Sequence, residues 1–122
     1  MPDDAKGVKV VADVAMEAFS KRLAREGRRW LPDVLLFADD NLTTGALQAL
    51  LAEGIQIPDD VAIATWANRW EGPTFVKPFT RLEMDAFADG ELVASGALEY
   101  LSKGTFPEGV AIGPAYIRGK TF

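Results

Sequence analysis

Three short polar clusters hold the residues best suited to chemistry: Ala12-Asp13, Asp39-Asp40-Asn41 and Trp66-Ala67-Asn68. Each follows a run of apolar or β-branched residues, namely Gly7-Val8-Lys9-Val10-Val11, Val34-Leu35-Leu36-Phe37-Ala38 and Val61-Ala62-Ile63-Ala64-Thr65. Carboxylate and amide oxygens accept hydrogen bonds from hydroxyls and amines, so such clusters suit a small polar ligand. Asp and Asn are also favoured helix N-caps, and capping accounts for any one cluster taken alone. Polar clusters recurring at equivalent ends of successive strands, which is where ligands collect in open α/β sheets, make one shared site as good a reading as three separate caps.

Other chemistries find little support. The chain has 122 residues with no Cys and no His, which removes thiolate zinc sites, Cys nucleophiles, disulfides and His-based triads. There is no phosphate-cradling glycine motif, and Ser20 and Ser95 fall within helical patterns rather than at a nucleophile elbow. Asp39-Asp40 resembles the acidic pair of a phosphoacceptor switch only superficially. It follows the second predicted strand rather than the first, and the next strand ends without an acceptor Asp. No catalytic residue, metal or cofactor is therefore expected. With 13 Lys+Arg against 18 Asp+Glu the net charge is -5, which argues against direct nucleic-acid binding by this segment. Met1-Pro2-Asp3-Asp4-Ala5-Lys6 is unlike a signal peptide and no apolar run spans a bilayer, so a soluble, cytoplasmic chain without membrane contact is expected. Trp30 and Trp66 read as core aromatics. Trp70 and Phe75, in a long irregular stretch, suit a partner surface or ligand wall. Arg28-Arg29 reads as a solvated basic spot at a helix end.

The elements that must position these clusters alternate. Gly7–Val11 is expected to be a strand; Val14, Ala15, Ala18, Phe19 and Leu23 then recur at helical spacing, with Asp13 as N-cap and Gly27 as the stop. Asp33–Ala38 is apolar enough for a strand buried on both faces. Leu42 to Glu53 follows as a helix, ended by Gly54, and Val61–Thr65 as another buried strand. Trp66 to Pro78 is irregular, Phe79–Met84 alternates as a strand, and Asp85 to Lys103 is helical with acidic residues near its start and Lys103 at its end. Ala115–Arg118 closes the chain as a strand. The order β-α-β-α-β-loop-β-α-β predicts one α/β domain over residues 1–122: three layers, with a mostly parallel sheet and helices on both faces.

Asp33 to Leu50, which includes Phe37-Ala38-Asp39-Asp40-Asn41 and Thr43-Thr44-Gly45-Ala46-Leu47, resembles the "pDAvfaaNDemAlGalral" segment of LacI/GalR-type transcriptional regulators. Gly54-Ile55-Gln56-Ile57-Pro58-Asp59-Asp60-Val61-Ala62-Ile63 is similar to their "GlrvPeDvsvv". Thr65-Trp66-Ala67-Asn68 stands at the family's "GFDd", Pro78-Phe79-Thr80-Arg81-Leu82 at "PpLTTv", and Ala115 to Thr121 at the closing "LvvReST". The segments keep the family's order and near-family spacing from Lys9 to Phe122.

The resemblance implies the C-terminal lobe of a two-lobed, periplasmic-binding-protein-like sensor, with a small-molecule effector (a sugar or other metabolite) in the interlobe cleft. It implies ligand contacts from Asp39, Asp40, Asn68 and the neighbouring Trp66, from Asp13 near a position often aromatic in sugar binders, and from Met84 and Ala86 on the crossing between lobes. It implies a homodimer, with Thr44, Thr74 and Phe75 at the interface. Ala67 replaces the hydroxyl-binding Asp and Asp13 the aromatic platform, which points away from a typical sugar. The family's helix-turn-helix and most of its N-terminal lobe have no counterpart here, so operator DNA is expected to be met only through a segment outside this one. Residues 79–103 pack partly on the N-terminal lobe in the family; their apolar stripe predicts self-association, with swapped elements as one form it can take. A second reading is a truncated or degenerate paralogue that only dimerises.

Overall fold

A computed structural model describes residues 4–105, 107–109 and 111–122, with side chains from residue 11 onward. The described residues begin with a helix, α1 (Asp4–Glu26), followed by a short 3-10 turn at Arg28–Trp30. Strand β1 (Val34–Phe37), helix α2 (Asp40–Ala52) and strand β2 (Ala62–Asn68) come next. Strand β3 (Thr80–Met84), helix α3 (Ala86–Lys103) and strand β4 (Ala115–Ile117) complete it. The four strands lie in sequence order in one sheet; β1, β2 and β3 are parallel, and β4 runs antiparallel to β3. The mostly parallel α/β sheet expected from the alternation is present.

The expected strand at residues 7–11 is helical instead. β-Branched residues lose only a few tenths of a kcal/mol in a helix, roughly, and tertiary packing readily outweighs that. The packing is visible further along α1. Ala12, Ala15, Phe19 and Leu23 recur at helical spacing, and Ala15 and Leu23 are buried. α1 lies against α2 so closely that a Cβ on Gly45 would overlap the carbonyl of Ala12 and stand 2.9 Å from the Ala15 Cβ. Asp13 consequently sits inside α1, exposed, and caps nothing.

The core lies between these helices and one face of the sheet. Leu23, Phe37, Leu47, Leu50, Ile55, Val61, Ile63 and Phe79 are buried together, with Phe19 and Trp30 packed against them. Phe19 stacks obliquely on both Trp30 and Phe37, at ring-centroid distances of 5.6 and 5.8 Å. Thr121 is tied to the backbones of β2 and β3: its hydroxyl donates to the Ile63 carbonyl and accepts from the Thr80 amide, and its carbonyl accepts from the Ile63 amide. Gly119 approaches the Pro78–Thr80 backbone too closely for any side chain.

Alternation puts Leu36, Trp66, Leu82 and Tyr116 on the opposite face. Leu36 is 65% exposed and Tyr116 61% exposed. Of the two helical layers expected, α1 and α2 supply one; α3, for all its apolar residues, has no buried residue among those described. Its ends are nonetheless well formed. Asp85 caps it by accepting from the Ala88 amide, and Gly104 ends it in the left-handed conformation at φ 72°.

Candidate functional site

Because β1, β2 and β3 are parallel, their carboxyl ends lie side by side. Phe37 pairs with Thr65, so Asp39 comes level with Ala67, and Asn68 pairs with Met84. A depression of about 170 Å³ forms there, lined by Ala38, Asp39, Asp40, Trp66, Ala67, Asn68 and Met84. A second, of about 370 Å³, adjoins it around Asp39, Asp40, Asn41, Thr44, Asn68, Glu71 and Gly72. The fold thus gathers Asp39, Asp40, Trp66, Asn68 and Met84 around one hollow, and adds Thr44 at its edge. Asp13 lines neither depression: the sheet-end position inferred for it rested on a strand that is a helix. Ala86 opens α3 and is exposed outside both.

Local structure fixes the two aspartates differently. Asp39 is the N-cap of α2: its Oδ1 accepts from the amides of Asn41 (2.7 Å) and Leu42 (3.1 Å). Asp40 begins the helix, and its carboxyl is held above its ordinary value by partial burial first and by the Asp39 carboxylate second. Beneath them Thr43 and Thr65, both fully buried, share a 2.7 Å hydroxyl–hydroxyl bond that ties α2 to β2. The Thr43 hydroxyl donates to the Asp39 carbonyl at 2.9 Å, which anchors the cap from below.

The far rim comes from residues 69–79. The Arg69 amide donates to the Met84 carbonyl at 2.7 Å, and the Glu71 amide to the Asn68 carbonyl at 3.1 Å. Trp70, at φ 68°, completes the reversal and is 89% exposed. This turn brings Glu71 and Gly72 beside Asp40. Neither was legible as a site residue from sequence, since only the turn geometry carries them there. Arg69 points its charge elsewhere: Nη1 donates to Asp85 Oδ2 at 2.6 Å and the guanidinium lies 4.9 Å from the Trp70 ring centroid. Further along, Thr74 is exposed, while Phe75 is half-buried against Phe79 at 5.7 Å. Among the described residues no group of three carboxylates converges closely enough to hold a metal ion.

The mostly parallel sheet with a polar hollow at its strand ends places the chain among open α/β folds. The family model described as "Periplasmic binding protein-like domain" matches residues 2–122, and the chain belongs to that family. No match is found among curated proteins. Among solved structures, the chain is similar to a LacI family transcriptional regulator from Arthrobacter sp. FB24 in complex with lactose, at 19% identity and a TM-score of 0.71, covering 90% of this chain and 42% of that one. A LacI family regulator from Lactobacillus casei with bound sucrose gives 17% identity, a TM-score of 0.71, and coverage of 91% and 40%. One from Bifidobacterium animalis subsp. lactis gives 18% identity, a TM-score of 0.74, and coverage of 90% and 40%. At these identities the likeness is one of fold, and the chain spans about two fifths of each of these structures. Among the described residues no helix is long and apolar enough to cross a membrane.

Proposed function

We propose that this chain is the effector-sensing and dimerisation portion of a LacI-type transcriptional regulator. The observation that carries the proposal is the convergence of Asp39, Asp40, Trp66, Asn68 and Met84 on one hollow at the strand ends of a lobe whose fold is that of sugar-bound LacI family regulators. The hollow forms one wall of an interlobe cleft, and a small-molecule effector binds there by hydrogen bonds to the carboxylates and the amide. Binding shifts the balance between two arrangements of the sensor; no bond in the ligand is broken, so the activity is not enzymatic. Thr44, Thr74 and Phe75 contribute to a homodimer interface, and operator DNA is contacted by a helix-turn-helix outside this segment. The setting is cytoplasmic.

Thermal unfolding of the native-length protein against a panel of sugars and other metabolites tests the reading. A ligand that binds only the folded state stabilises it by about 2.7 kcal/mol at 100 times its Kd. At least one member is expected to raise the Tm in a concentration-dependent way, and less so in Asp40→Asn. If none does, a module that only dimerises is the account that stands.

A further inference from the structure

We propose that Trp70 is a specificity-determining contact of the effector site, and that its indole stacks on a flat aromatic or heteroaromatic ring of the effector; this rests on the sensor reading above. Trp70 is costly where it stands. Its φ of 68° lies in the left-handed region, which a glycine enters freely and a bulky side chain does not. Its indole is 89% exposed, so burial does not offset the strain. Such a conformation persists only where neighbouring contacts hold it, and here they do. The Arg69 amide donates to the Met84 carbonyl at 2.7 Å, and Arg69 Nη1 to Asp85 Oδ2 at 2.6 Å. On the other side the Glu71 amide donates to the Asn68 carbonyl at 3.1 Å. The Arg69 guanidinium, 4.9 Å from the Trp70 ring centroid, steadies the indole itself. A strained, exposed aromatic held from both sides is the mark of a functional position rather than a packing one.

The surroundings of Trp70 decide the ligand chemistry. A depression of about 550 Å³ opens there, lined by the turn at residues 68–71 and by residues 85–87 at the start of α3. Both lining segments belong to this chain. Phe87, itself 87% exposed, is the second aromatic of the lining. The Arg69–Asp85 pair joins the two segments and so holds both aromatics in one frame; engaged with each other, its members are not free to bind a charged group. The volume suits a one- or two-ring group. Asn68 lines this depression and the strand-end hollow alike. One ligand therefore reaches both, with its polar part in the hollow and its ring beside Trp70.

Isothermal titration of the native-length protein with matched pairs tests this: phenyl β-glucoside against methyl β-glucoside, and adenosine against ribose. At least one ring-bearing member is expected to bind one-to-one, about five-fold or more tighter than its partner, as an aromatic pair provides. Trp70→Gly removes the ring and relieves the strain together, so it is expected to lose this preference with no fall in Tm. Trp70→Phe is expected to keep most of the preference. A lower Tm for Trp70→Gly would mean that the indole serves stability, and overturns the inference. A preference that survives Trp70→Gly also overturns it, and if sedimentation then shows a weakened dimer, the ring serves a subunit contact instead. A ring-free member binding as tightly as its partner overturns the inference and leaves the sensor reading intact. Failure of all four to bind overturns the inference, whereas the sensor reading falls only if the wider metabolite panel also leaves the Tm unmoved.

Discussion

Asp40 carries a cost that its neighbour does not. Asp39 is compensated by two α2 amides, whereas Asp40 is partly buried beside Asp39 with Glu71 also opposing its charge. A carboxyl whose folded-state pKa is raised favours folding most when protonated. Its contribution is therefore present below its ordinary value of 3.8 and is lost as pH rises through the raised folded value. Asp40→Asn is accordingly expected to raise the Tm at neutral pH, with the gain shrinking to nothing as pH falls below the ordinary carboxylate range. Thermal melts of both proteins across that range check this; an equal difference at both ends would contradict it. Natural sequences keep such a group where binding needs it, at a cost in stability.

Between elements, the tightest contact is that of α1 on α2. Gly45 has no Cβ, and the Ala12 backbone occupies the space one would fill. Gly45→Val is expected to destabilise the fold by about 1–3 kcal/mol, the usual range for overpacking, measured by urea denaturation. An unchanged midpoint would mean that α1 is not docked on α2 as described. This contact also explains what sequence could and could not reveal. α2, β2, β3, α3 and the polar strand ends were legible because a 3.6-residue or two-residue period, a capping residue and an apolar run agreed at each. Residues 7–11 misled, because β-branched residues favour strands only weakly and the packing of α1 along α2 is not written locally. Asp13 was misplaced with them. Glu71 was invisible because its position depends on a turn through Trp70 at positive φ, which no neighbouring residue announces.

At the scale of the whole molecule, two apolar surfaces are left uncovered among the described residues. α3 presents Phe87 at 87% exposure and Leu101 at 78%, and the far sheet face presents Leu36 and Tyr116. Monomeric proteins rarely leave surfaces of this kind open. The 122-residue chain on its own is therefore expected to self-associate, and sedimentation of a dilute sample checks it. A well-folded monomer would remove that expectation. If the strand-end hollow is the effector wall, hydrogen exchange of the native-length protein, with and without a ligand found in the thermal panel, will locate binding there. Slowed exchange is predicted at the amides around Ala38–Asn41, Asn68–Gly72 and Met84. Slowing confined to α3 and the 107–113 segment, with none at these strand ends, would contradict it.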